Sequence, residues 1–132
     1  MRRLMRDTLD HVRQRKQFGV PIASFQVLQH RLADMHMALE QADALTASVG
    51  EAVDGATPSA RARAVSSAKV AVAKACRAVG QGAVQMHGGM GMTEELAIGH
   101  YFRRATLIEH QFGPPAWHLR RVARLRAAVP VT

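Results

Sequence analysis

Residues 24–50 read SFQVLQHRLADMHMALEQADALTASVG, and within them Leu28, Leu32, Met35, Leu39, Ala42, Leu45 and Val49 recur at intervals of three or four. That spacing lays one apolar stripe along a single helical face. Ser24 stands where an N-cap belongs. Gly50 and the stretch Asp54-Gly55-Ala56-Thr57-Pro58-Ser59 predict the helix end and a loop.

Downstream, Thr57 before Pro58 predicts an N-cap with proline at the first helical position. Ala64, Ser67, Ala68, Ala71, Ala75, Cys76, Val79 and Gly82 then mark one side of a long helix whose small side chains let neighbours come close. A glycine-rich corner, His87-Gly88-Gly89-Met90-Gly91, follows. Thr93 reads as the cap of a helix through Glu94, Glu95, Ile98, Phe102 and Ala105, and Gly113-Pro114-Pro115 breaks the chain before a last helix with Leu119, Val122 and Leu125. Upstream, Leu4, Leu9 and Val12 sit among charges in a helical pattern with no N-cap ahead of it, as if a longer chain had been cut in mid-helix; Gly19 and Pro21 stop it. No β pattern of any length is expected. The reading is all-α: one domain over 1–132, an antiparallel four-helix bundle with an additional short helix.

Composition agrees. The chain is 48% hydrophobic but only 5% aromatic, so its core is built from alanine, leucine, valine and methionine, which suit helix-on-helix contact. Cys76 is the only cysteine, which excludes an intramolecular disulfide and a multi-thiolate metal site and makes a reducing, cytoplasmic setting the default. His30 and Asp34 are four apart, but His36 lies off their shared face and no third ligand follows, so no metal site is expected. No 18-residue apolar run exists, so no membrane span is expected. The net charge of +8 gathers in Arg2, Arg3, Arg6, Arg13, Arg15 and Lys16 at one end and in Arg103, Arg104, Arg120, Arg121, Arg124 and Arg126 at the other. With no motif and no aromatic stacking platform, these read as solvated or subunit-facing surfaces or contacts for small anions, not as a nucleic-acid site.

The corner at 87–91 is the most specific local feature. Glycines there permit positive φ and close approach, and exposed peptide N–H groups beside a helix start suit a phosphate. The plain alternative is an inter-helix turn; G-x-G-x-x-G is not present, nor is the strand it requires.

Three stretches in register carry a resemblance. Arg15-Lys16-Gln17-Phe18-Gly19, then Phe25-Gln26 with Leu32-Ala33-Asp34-Met35, then Ala83-Val84-Gln85-Met86-His87-Gly88-Gly89-Met90-Gly91-Met92 resemble the C-terminal helical domain of the acyl-CoA dehydrogenases. The resemblance implies a domain at the centre of a homo- or hetero-oligomer, contacting FAD held mainly by a neighbouring subunit. It implies FAD contacts for Arg15 and Phe18, Gln26, and Gln85 with Gly88 and Gly89. It also implies an acyl-CoA substrate oxidised to a trans-2-enoyl-CoA and an electron-transferring flavoprotein as acceptor. The family's N-terminal helical and middle β domains have no counterpart in the 132 residues.

The same resemblance exposes a departure. Many members carry the catalytic base as glutamate in a Glu-Gly pair, and ungapped counting from Gln85 puts Phe112-Gly113 there. Phenylalanine accepts no proton. Glu109, three positions earlier, is a fallback base, with a helix-surface or ion-pairing role as the plainer reading; other members place the base upstream of the segment matching Met1. The catalytic residue is therefore left unassigned, and a non-catalytic helical subunit or interaction module is the alternative to a flavin-dependent dehydrogenase.

Overall fold

The structure, a computed structural model, describes residues 1–127 apart from the side chains of 51 and 52. Its elements are α1 (Arg2–Gln14), a hairpin of β1 (Lys16–Gln17) and β2 (Val20–Pro21), a 3₁₀ turn (Ile22–Ser24), α2 (Gln26–Ala52), α3 (Pro58–His87), a second 3₁₀ turn (Gly88–Met92), α4 (Ala97–His110) and α5 (Pro115–Ala127). The antiparallel all-α bundle holds. The lengths divide differently from the expected four long helices: α2 and α3 have 27 and 30 residues and the other three 13 or 14.

The 30-residue helix α3 is the spine, and all four other helices pack on it. Its small residues explain why. A Cβ at Gly82 would meet the Met35 Sδ of α2 at 2.5 Å, and one at Gly80 would meet Phe102 of α4 at 2.8 Å. The core joins Leu4, Met5 and Val12 of α1, Leu32, Met35 and Leu39 of α2, Val79, Ala83 and Met86 of α3 and Ile98 of α4. Arg2 pairs with Asp43 at 2.9 Å near the start of α1, while His11 meets His87 near its end, so α1 runs against α2 and along α3.

Thr57 caps α3 as the sequence predicts, accepting from the Ala60 N–H at 3.3 Å with Pro58 next in line. Thr57→Ala is expected to cost about 1 kcal/mol, read as a lower urea midpoint with an unchanged slope.

Three local expectations need correction. Ser24 does not cap α2: its hydroxyl donates to the Pro21 carbonyl at 2.7 Å and closes the 3₁₀ turn, while Phe25 holds the N-cap position. Thr93 does not cap α4: it donates to the Met90 carbonyl, and the helix starts four residues later behind Leu96. In both cases the hydroxyl found a nearer carbonyl in a tighter turn. A β element does exist, because Phe18 (φ 54°) and Gly19 (φ 81°) together make a two-residue turn of the hand that suits a hairpin. The expected end of α2 near Gly50 holds, with the helix running to Ala52.

Candidate functional site

At one end of the bundle α1 and α3 finish and α2 begins, and the six residues expected to touch a cofactor lie there. Arg15 terminates α1 and is exposed, with no ion pair among the described residues. Its carbonyl accepts from the Ile22 N–H at 2.8 Å, folding the hairpin back. Phe18 at the hairpin tip is 92% exposed, and its ring meets Phe25 edge-on at 6.2 Å, immediately before Gln26 at the start of α2.

Gln85 lies exposed on the last turns of α3 and lines a cavity of about 330 Å³ with Arg31, Asp34 and Gly82. The next two glycines divide the work. Gly88 ends the helix at φ 61°, ψ −142°, a conformation open essentially to glycine alone. Gly89 has an ordinary φ, and the space above both is clear: a Cβ on either would meet nothing within 4 Å. Gly91 is small for another reason, since a Cβ would meet the Val84 carbonyl oxygen at 2.7 Å. With α4 starting only at Ala97, no long helix N-terminus backs this corner.

A pair of histidines ties α1 to α3 here, a contact the spacing of residues did not reveal. The rings of His11 and His87 stack at 4.2 Å and 26°. His87 Nδ1 lies 2.8 Å from the Ala83 carbonyl, which can only accept, so that nitrogen carries the proton. Burial, then His87 and Arg15, push the His11 imidazole below its ordinary range, so His11 stays neutral where a free imidazole begins to protonate.

The Phe112–Gly113 corner lies elsewhere. His118 of α5 links it to Ser66 of α3, and the helix between Ser66 and Gly88, at about 1.5 Å per residue, separates the two corners by roughly 33 Å. Phe112 adopts φ 60° and is 94% exposed, followed by Gly113 at φ 106°. A left-handed phenylalanine costs on the order of 1–3 kcal/mol. Like Phe18, it presents its ring outward from a strained position.

Glu109 is a buried member of the last turn of α4, with its carboxylate 7% exposed and held by Arg77, whose side chain is 60% exposed. The two border a cavity of about 410 Å³ with Lys74 and Gln81. The ammonium of Lys69 finishes the same helix, donating to the Ile108 carbonyl at 2.7 Å and the Glu109 carbonyl at 3.2 Å. The helix ends at His110, so Glu109 and Phe112 do not share a turn, and the geometry gives Glu109 an ion-pairing role. Cys76 is buried, and burial pushes its thiol up, away from the reactive thiolate. No described helix is long and apolar enough to cross a membrane.

A family model described as "Acyl-CoA dehydrogenase, C-terminal domain" matches residues 1–125. The chain is 40% identical over 115 residues to acyl-CoA dehydrogenase IpdE2 of Mycolicibacterium smegmatis, covering 87% of this chain and 35% of that protein. It is 35% identical to the short-chain specific mitochondrial acyl-CoA dehydrogenase of Homo sapiens, covering 76% of this chain and 24% of that one. Among solved structures, a chain of the ChsE4–ChsE5 complex from Mycobacterium tuberculosis superposes with a TM-score of 0.92 at 28% identity, over 98% of this chain and 35% of that one. The 132 residues thus span about a third or less of the length of these proteins.

Proposed function

This chain belongs to the acyl-CoA dehydrogenase family, as its C-terminal domain, and from that premise we propose that it supplies FAD contacts and the oligomer core of a flavin-dependent acyl-CoA dehydrogenase. The N-terminal helical and middle β domains belong, on this reading, to sequence outside the 132 residues. The observation that carries the proposal is the gathering of Arg15, Phe18, Gln26, Gln85, Gly88 and Gly89 at one end.

The residues fit a diphosphate-bearing cofactor. Arg15 offers a fixed charge with forked donors, and open space over Gly88 and Gly89 lets a bulky anion reach the backbone. Phe18 gives an apolar ring to lie against, and Gln26 and Gln85 give neutral donors and acceptors around it. A flavin held there would supply the hydride acceptor for oxidation of an acyl-CoA to a trans-2-enoyl-CoA, with an electron-transferring flavoprotein as the onward electron acceptor. The exposed Val27, Met37, Leu107 and Leu119 supply apolar surface for subunit contact.

Arg15→Ala is expected to weaken FAD retention by the whole flavoprotein about 10- to 100-fold, the size of a charged hydrogen bond. Titration of the apoprotein with FAD measures it, and unchanged affinity removes Arg15 from the site. The 132-residue chain by itself should carry no visible flavin absorbance after purification. A second reading, favoured by Phe112 at the position of the family's base, makes this chain the non-catalytic member of a hetero-oligomer with the same cofactor contacts.

A further inference from the structure

The corner at Phe112 and Gly113 is held from beneath by a buried histidine, not by its own exposed ring. His118 Nε2 lies 3.1 Å from the Phe112 carbonyl oxygen, and its Nδ1 lies 3.2 Å from the Ser66 hydroxyl. A carbonyl only accepts, so Nε2 carries the proton and donates; Nδ1 then has the lone pair that receives the Ser66 O–H. Both ring nitrogens are used, and the ring spans from α3 to the corner.

The neighbours keep that ring from turning. Trp117 packs edge-on against it at 4.7 Å and 85°, and the Arg121 guanidinium lies 5.3 Å above the Trp117 ring. Gly113 leans on the same pair: a Cβ there would meet His118 Nε2 at 3.4 Å and Trp117 Cε3 at 3.5 Å. Ser66 sits fully buried on α3, the most heavily packed helix, so the hydrogen-bond chain is anchored on a rigid reference.

We propose that His118, backed by Ser66, is a positioning residue for this corner: it fixes the left-handed backbone at 112 and so sets the direction in which that side chain leaves the protein. The hydrogen bond from Nε2 opposes relaxation of Phe112 from φ 60° toward the negative φ that phenylalanine favours. The functional weight of the clamp rests on residue 112 belonging to the dehydrogenase site, but its test needs no flavin, so the two ideas fail separately.

The chain contains its own control. Phe18–Gly19 and Phe112–Gly113 are both exposed phenylalanine–glycine corners with positive φ at each residue, and only the second touches His118. Chymotrypsin cuts after such residues, and mass spectrometry of the full chain under native conditions gives the ratio of cleavage after Phe112 to cleavage after Phe18. His118→Leu is expected to raise that ratio roughly five- to tenfold, in line with one lost, partly buried hydrogen bond. His118→Gln, which keeps an amide N–H for the carbonyl, should stay within about twofold of wild type. Ser66→Ala should fall between them. Equal rises at both corners, no rise in the ratio, or His118→Gln behaving as His118→Leu would each overturn the assignment.

Discussion

Phe112→Glu is expected to raise acyl-CoA dehydrogenation by the flavoprotein containing this chain about a hundred- to ten-thousand-fold, the usual contribution of a positioned base. The corner already presents residue 112 to the outside at φ 60°, and the hydrogen bond from His118 holds the carbonyl, not the ring, so the exchange leaves the clamp untouched. Glutamate pays no larger backbone penalty there than phenylalanine does. The α proton of a thioester needs an acceptor at the right distance, and the ring supplies none. This corner lies roughly 33 Å from the Arg15–Gly89 end. On the proposed reading, the flavin that the new base would serve is therefore a different one of the oligomer from the one that end contacts. Anaerobic reduction of the bound flavin by an acyl-CoA, followed through its visible absorbance, reads the rate. An unchanged rate would place the base away from this corner.

The second large effect concerns stability. Arg77→Ala is expected to destabilise the bundle by about 2–4 kcal/mol, because it leaves the carboxylate of Glu109 buried without its partner. The figure stands below that of a fully enclosed pair, since the guanidinium side opens to water, which takes over part of the solvation. Glu109→Gln should cost only about 1 kcal/mol, as the amide oxygen still accepts from Arg77. Urea unfolding separates the two variants. If Arg77→Ala shifted stability by no more than about 0.5 kcal/mol, it would rank with ordinary surface changes and the pair would hold nothing.

The helical framework was readable because its signals are periodic and local. The stripe from Leu28 to Val49 and the start at Thr57-Pro58 each need only neighbours within a turn or two. Ser24 and Thr93 misled for the same reason: a hydroxyl beside an apolar run looks alike whether it caps a helix or closes a 3₁₀ turn, and the choice depends on which carbonyl the folded chain brings near. Arg15, Phe18 and Gln85 stand in motifs legible in the sequence, and the fold gathers them at one end. What could not be read were contacts between distant residues, such as His11 on His87 and Ser66 on His118, since neither pair has a spacing rule. The repetition of Phe-Gly, at 18–19 and 112–113, is the feature of the sequence that matches the two left-handed turns.

The central place of α3 also decides where this protein can change length over evolution. Each residue added to a helix rotates everything beyond it by about 100°. One insertion between Ser66 and Gly80 would swing Gly82 away from Met35 and His87 away from His11, parting the Gly88 end of the bundle from the rest. The same insertion between Val53 and Ala56 falls in the exposed turn joining α2 to α3, where it is absorbed without rotating either helix. Homologous chains should therefore vary in length at that turn and hold the number of residues from Thr57 to Gly88 constant.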